Sequence, residues 1–444
     1  MTPSQPKLAL LPWGNVLEDF LDPLGISLET FCNEFRGSYM FGFIEALKRT
    51  GVQTVLFCIS THVAEPSRLM HVPSGATICL LPAPKRYRVL RRRMLYPYGQ
   101  NVRHMFGNIR GSRKILFPFL FLLQETMLYL ATPHRLLANE IQREGCNVIL
   151  CQEYEYPRFD ACVLLGKLLR LPVFATFQGG NYHHSHIERF LRPLSMQACA
   201  GLVIASQKEI QRVRHHYHLP PTKLAQIFNP VDLKLWGKGD RQEARSHLGI
   251  PEEAWVVAWH GRVSIHKKGL DILLEAWDTL RCNNSEQDIR LLLIGTGDGD
   301  AELRQRLKNM PVGSVCWIDR FIHDPILLRR HLSAADVYAF ASRYEGFPVA
   351  LVEAMACSLP VVATEIDGVV DILAGKESNG GLLVPSGDAA ALALALQRVL
   401  HNQSGRETLG NSARRRVEKC CSFEAVGEQL QSFLFKQPMD YRSS

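Results

Sequence analysis

Two doubly wound α/β domains in tandem, each a largely parallel sheet covered by helices, are what this sequence predicts. Three observations predict it. Short aliphatic runs of β type alternate with helical patterns along most of the chain. A polar segment carrying Gly and Pro separates two such series, and 444 residues exceed what one ordinary core organises. Ligands of such sheets bind outside the carboxyl ends of the strands, so two such edges facing each other across a cleft are where function is expected.

In the first half the strand candidates are LALLP (8–12), TVLFCIS (54–60), ATICLLP (76–82), NVILCQE (147–153), PVFATFQG (172–179), GLVIAS (201–206) and LAQIFNP (224–230). Helices are expected over 38–50, 158–170 and 187–199. The segment NPVDLKLWGKGDRQEARSHLGIPEEA (229–254) interrupts the alternation. It divides the chain into a first domain, 1–235, and a second, 236–420, with 421–444 expected as a C-terminal helix packing back on the first. In the second half AWVVAWHG (254–261), IRLLLIGTG (289–297), VCWIDRF (315–321), DVYAFAS (336–342), PVVATEI (360–366) and GLLVPS (381–386) fit strands. Helical patterns such as KKGLDILLEAWDTL and PVALVEAMACS lie between them, the mark of βαβ units.

Four clusters fall just after strands. In HGRVSIHKKGLDILLEAW (260–277), Arg262 leaves a strand end and Lys268 precedes a helix N-terminus at Gly269. A guanidinium, an ammonium and free helix N–H groups together suit a phosphate, while a solvated basic loop is the alternative. In IGTGDGDAEL (294–303) glycines at 295, 297 and 299 permit close backbone approach but do not form the dinucleotide fingerprint. Asp298 and Asp300 there read as a metal pair or as ordinary helix caps; caps are the reading adopted, and no metal is expected.

The third cluster is ASRYEGFPVALVEAMACSLPVVAT (341–364). Glu345 falls in a strand–helix turn and Pro348 suits a first helical position. Glu353 lies along a helix whose other residues are almost all apolar. A buried carboxylate needs partners, and a polyhydroxylated ligand could supply them. The fourth, ATFQGGNYHHSHIERF (175–190), crowds Gln178, His183, His184 and His186 after a strand. No cysteine or acidic pattern completes a zinc set there, so solvated loop histidines are expected. The twelve cysteines form no C-x-x-C pair, and most sit in apolar patterns as small core residues; Cys420 and Cys421 are adjacent without a partner at ligand spacing.

These motifs resemble the retaining family 4, group 1 glycosyltransferases of the GT-B class. Gly261-Arg262 with Lys268-Gly269, then IGTGDGD, then Ser342 to Glu353 as S-x-x-E-G-F-P-x4-E, occur in the family's order. P-V-V-A-T-x-x-x-G (Pro360 to Gly368) and G-x-L-V-P-x-G-D follow, and VIASQKE and NPVDLKLW fit its first domain. The similarity covers about 170–420. It implies two Rossmann-like domains and transfer of a sugar from a nucleotide-sugar to a hydroxyl acceptor, with retention of configuration. The donor is then a co-substrate and no further cofactor is expected.

By the same resemblance Arg262 and Lys268 neutralise the diphosphate. Glu345 contacts the donor sugar, helped by backbone at Gly346, Phe347 and Pro348, and Glu353 holds the ribose. Gly295, Thr296, Gly297, Arg320 and Phe321 line the nucleoside pocket. Two departures stand out. Gln178 replaces the family's His in a T-x-H-G turn, and the usual Gly-Gly is matched only by Gly37 and Ser38 before a helix. Rival readings are a GT-B-fold sugar-nucleotide epimerase and a catalytically silent nucleotide-sugar-binding protein.

From Lys85 to Lys114 there are ten Lys/Arg and no Asp or Glu, and ILFPFLFLL (115–123) follows. Such an insert, about 85–130, suits an anionic membrane surface reached through 85–123, and with it a lipid-linked acceptor. A buried helix with a solvated basic face is the alternative. The net charge of +8 favours anionic partners, but no nucleic-acid-binding motif is present. No apolar stretch reaches the ~18 residues of a spanning helix. The expected location is cytoplasmic, peripheral on the inner face of a membrane.

Overall fold

The computed structural model describes residues 5–35, 39–94, 102–107, 117–179 and 185–435. They form two compact units. One comprises the described residues up to Ile204, Glu209–Gln226 and the chain from Gly427; the other comprises Ala205–Lys208 and Ile227–Val426. The second unit begins ahead of residue 236 because Phe228, Val231 and Trp236 are buried in its core.

The first unit holds eight strands: β1 (Lys7–Leu11), β2 (Gln53–Ser60), β3 (Ser67–His71), β4 (Ala76–Pro82), β5 (Val148–Cys151), β6 (Val173–Phe177), β7 (Gly201–Ile204) and β8 (Leu224–Gln226). Their order is β3-β4-β2-β1-β5-β6-β7-β8, parallel except for the β3–β4 pair. Leu8 to Leu11 are fully buried, as a strand covered on both faces requires. Chain order reverses between β1 and β5, which makes their carboxyl ends the switch point of this sheet.

β3 is absent from the sequence reading. It is an edge strand whose residues alternate between half-buried and exposed up to the buried His71, so its sequence lacks the apolar run that marks the others. The helix Phe423–Phe435 starts in the second unit, and its part from Gly427 belongs to the first. There Gln431 donates to the Thr50 carbonyl and the Phe433 ring lies 5.3 Å from Phe174.

The second unit has six parallel strands: β9 (Trp255–His260), β10 (Ile289–Ile294), β11 (Val315–Ile318), β12 (Val337–Phe340), β13 (Val361–Thr364) and β14 (Gly381–Val384). Their order, β11-β10-β9-β12-β13-β14, places the switch point between β9 and β12. Asp336 holds that pair at its amino end, accepting from Val256 N–H at 2.8 Å and from the buried Arg245 at 2.7 Å. Everything that follows in this unit happens at the opposite ends of these strands.

Candidate functional site

The loop after β9 carries Arg262 and Lys268 and ends at Gly269, where the helix Leu270–Asn283 begins. Gly269 has φ 63°, and a Cβ there would lie 1.8 Å from the Ala341 carbonyl. Only glycine lets this loop press against the end of β12. Arg343 fastens the two loops together. It donates to Asp271 at 2.7 and 2.8 Å and to the His266 carbonyl at 2.8 Å, while its own N–H reaches the Lys267 carbonyl.

So held, Lys268 and Glu345 meet. Lys268 Nζ donates to Glu345 Oε1 at 2.7 Å, and Ser342 Oγ donates to the same oxygen at 2.7 Å. The Glu345 side chain is only 9% exposed, so the pairing compensates a nearly buried carboxylate. Thr364, from the end of β13, donates to the Ser342 carbonyl at 2.5 Å and fixes the turn from a third strand. Arg262 behaves differently: its guanidinium stands in solvent, 3.5 Å from Asp298.

Glu353 sits on the helix Val349–Ala356 among the buried Val352, Ala354 and Met355. Its partner is His260, the last residue of β9, with Nε2 3.0 Å from Glu353 Oε2. His260 is itself buried, and its Nδ1 has no partner among the described residues. The Tyr338 hydroxyl donates to the His260 carbonyl at 3.3 Å. The nearest helix residues supply nothing polar; the partner comes from the neighbouring strand.

Gly295 (φ 136°) opens the turn after β10, and a Cβ there would lie 1.9 Å from the Gly261 carbonyl, so this turn abuts the loop after β9. Asp300 closes the turn, accepting from Thr296 Oγ1 and, at 2.7 Å, from Gly297 N–H. It thus works as a turn cap. Arg320 and Phe321 follow β11 at the sheet edge and are exposed. Phe347 is buried, its ring 6.0 Å from Phe228, which anchors the chain between Gly346 and Pro348. Pro348 caps its helix from one position before the expected one, and Val349 is the first helical residue.

Gln178 belongs to the first unit, just past β6, and its backbone N–H donates to the Glu153 carboxyl. Gly37, Ser38, His183 and His184 lie outside the described residues. His186 starts the helix His186–Ala198, its ring 5.5 Å from Phe121. In the insert, Tyr87, Met105 and Met127 are buried in a small core of the first unit, and Arg91 pairs with Asp19 at 2.7 Å. Phe121 and Leu122 on the helix Phe117–Leu130 are exposed. No helix among the described residues is long and apolar enough to cross a membrane.

Sequence reasoning singles out Lys268, Glu345 and Glu353, gives Ser342 only as part of a motif, and assigns nothing to their further partners His260, Arg343, Asp271 and Thr364. His260 was visible as a histidine ending a buried strand, a position where an aliphatic residue would serve packing alone.

Two family models match the chain in succession: "Glycosyltransferase Family 4" over residues 37–235 and "Glycosyl transferases group 1" over 254–402. Among curated proteins, the D-inositol 3-phosphate glycosyltransferase of Corynebacterium efficiens is 30% identical over 241 residues, covering 52% of this chain and 55% of its own. The chain spans about half the length of the curated relatives it matches. Among solved structures, sucrose-phosphate synthase from Thermosynechococcus elongatus aligns with a TM-score of 0.64 at 21% identity, covering 96% of this chain and 98% of its own. An Anabaena protein solved with UDP aligns with a TM-score of 0.65 at 16% identity, covering 96% and 98%.

Proposed function

Because the chain belongs to the family 4, group 1 glycosyltransferases, we propose that it transfers a sugar from a nucleotide-sugar to a hydroxyl acceptor with retention of configuration. One observation carries the reading: at the β9/β12 switch point a cationic loop and helix N-terminus stand against a paired carboxylate, Lys268 with Glu345 at 2.7 Å. The UDP bound by the Anabaena protein of like fold supports a nucleoside diphosphate as the leaving group. Family membership favours transfer over epimerisation or silent binding.

The roles follow from the chemistry of each group. Lys268 has three N–H donors, so its bond to Glu345 leaves capacity for phosphate oxygens. Arg262, standing in solvent, adds the planar donor fork that suits a diphosphate. As the bond from the anomeric carbon to the diphosphate breaks, its electron pair goes to the phosphate. These cations and the N–H groups opening the helix Leu270–Asn283 stabilise that charge. The acceptor oxygen bonds the same carbon from the same face, and its proton passes to a phosphate oxygen.

Glu345, fixed by Lys268 and Ser342, is placed to accept from sugar hydroxyls, with backbone N–H groups at Gly346 and Phe347. Glu353 takes ribose hydroxyls, held in place by His260. Gly295, Thr296, Gly297, Arg320 and Phe321 flank the nucleoside. The reading requires no cofactor or metal. A mass-spectrometric screen of the protein with nucleotide-sugars and hydroxyl acceptors tests it: a glycosylated acceptor and free nucleoside diphosphate are expected together. No product with any pair, or release without transfer, would overturn it.

A lipid-linked acceptor at an anionic, cytoplasmic-side membrane surface is the finer reading. It is supported by the exposed Phe121 and Leu122 and by the basic segment around the helix Lys85–Arg91. Arg91 is occupied with Asp19, so the test replaces Arg92 and Arg93. Sedimentation with phosphatidylglycerol vesicles should fall, and unchanged sedimentation removes the membrane from the account.

A further inference from the structure

We propose that Cys420 and Cys421 form a modification site, where a peroxide oxidises the adjacent thiols to a reversible disulfide and so loosens the turn that carries Glu345. The oxidation stands apart from the transferase reading; only its effect on donor binding rests on that reading.

The two cysteines end the helix Gln403–Cys421 of the second unit. Successive side chains of a helix point about 100° apart. The two sulfurs nevertheless lie 3.5 Å from each other. At rest the Cys420 S–H donates to the Arg416 carbonyl at 2.9 Å. No group of three or more metal-ligating side chains gathers among the described residues, so the chemistry of the pair is that of a dithiol.

The sulfurs are unequal. The hydrogen bond from Cys421, then the charges of Arg416 and Lys419, hold the Cys420 thiol below its ordinary value against the effect of burial. Burial pushes the Cys421 thiol up. Cys420 is 9% exposed and Cys421 fully buried, so Cys420 is the sulfur that an oxidant as small as hydrogen peroxide meets first. Its thiolate attacks one peroxide oxygen. The O–O bond breaks, and hydroxide leaves with the electron pair and takes the proton that Cys420 released. The Cys421 sulfur then attacks the sulfenic acid. The S–S bond forms, the S–O bond breaks, and the hydroxyl leaves as water with the Cys421 proton. Two thiols are oxidised and one peroxide is reduced to two waters.

The product is strained. Adjacent Cα atoms are about 3.8 Å apart across a trans peptide, whereas disulfides span about 4.4–6.8 Å. A strained disulfide is the readily reduced, labile kind. The distortion falls on the last turn of the helix, where the Cys421 carbonyl accepts from Val231 N–H at 2.7 Å. Val231 and Phe228 share a core with both cysteines. Arg416 lies over the Phe228 ring at 5.8 Å, and that ring is 6.0 Å from Phe347, two residues after Glu345. A contiguous packed path of a few side chains thus joins the thiols to the site.

Mass spectrometry of the full-length protein tests this, after hydrogen peroxide and then N-ethylmaleimide to block free thiols. Tryptic cleavage after Lys419 yields a peptide whose only cysteines are Cys420 and Cys421. It should emerge unlabelled and lighter by two hydrogens, and dithiothreitol should restore labelling of both. Oxidation should lower the melting temperature and weaken UDP or GDP binding by about fivefold or more, reversibly. Reduced Cys420→Ser should bind within about threefold of wild type and ignore peroxide. Both thiols labelled after peroxide, sulfinic acid without disulfide, or a wild-type peroxide response in Cys420→Ser would each overturn the proposal. A disulfide that leaves melting and binding unchanged would overturn its effect on the turn. If reduced wild type binds neither nucleotide the donor reading fails, while the peptide and the melting shift still decide this one.

Discussion

The two switch points of this molecule are built on opposite electrostatic plans. At β9/β12 the charged groups are mated within the protein: Lys268 with Glu345, His260 with Glu353, Arg343 with Asp271. At β1/β5 the polar side chains of Gln152, Glu153 and Glu155 are buried and incompletely paired. A mated site keeps its charges in place before ligand arrives and is ready for an anion. An unmated one has its acids raised toward neutrality by burial. The same topological position thus carries two electrostatic environments, set by a few partners rather than by the fold.

Breaking the mated plan should have the largest effect. Glu345→Gln removes the charge that anchors Lys268 and weakens the acceptor for sugar hydroxyls. Turnover should drop about a hundredfold while nucleoside diphosphate affinity changes less than about threefold. Steady-state kinetics set beside calorimetry checks the split, and an equal loss in both would move Glu345 from the sugar to the nucleotide.

A smaller effect is expected from His260→Leu, which keeps the strand's packing but frees Glu353. Nucleoside diphosphate affinity should fall about tenfold with turnover at saturation nearly kept, and His260→Gln should restore part of it. Wild-type affinity in the leucine variant would reduce His260 to packing.

The smallest sharpens the unmated side. Glu153 has its carboxyl raised to about 8 by burial, so the folded state binds more protons than the unfolded chain between about pH 4.5 and 8. Its contribution to stability is present below the unfolded value and is lost as pH rises through the folded one. Glu153→Gln abolishes that dependence. It should melt close to wild type at pH 5 and about 3 °C higher at pH 8, on the scale of ~2–4 °C per kcal/mol. Parallel melting curves of the two proteins across that window would show the acid to be already compensated.

Much of this was legible in the sequence, and the rest was hidden for a stated reason. All six strands of the second unit announce themselves as aliphatic runs, because both faces of a parallel sheet are covered. Lys268 and Glu345 could be singled out separately, each beside its own glycine. That they touch depends on Gly269 letting two loops meet across 77 positions of sequence, which no local pattern records. His260 went unassigned because its partner is 93 residues away. Gln152 and Glu153 were read only as the tail of a strand, since a polar residue shows its lack of partners only in three dimensions. β3 was missed because an edge strand needs no apolar run.

The central claim is that the β9/β12 end of the second unit holds a nucleoside diphosphate through Lys268 and Glu353. Calorimetric titration of UDP and GDP into wild type, Lys268→Ala and Glu353→Ala measures it directly. The account predicts binding of at least one of the two by wild type and about tenfold or greater weakening in each variant, with folding intact by melting temperature. Affinity unchanged in both variants, or no binding by wild type, would contradict it.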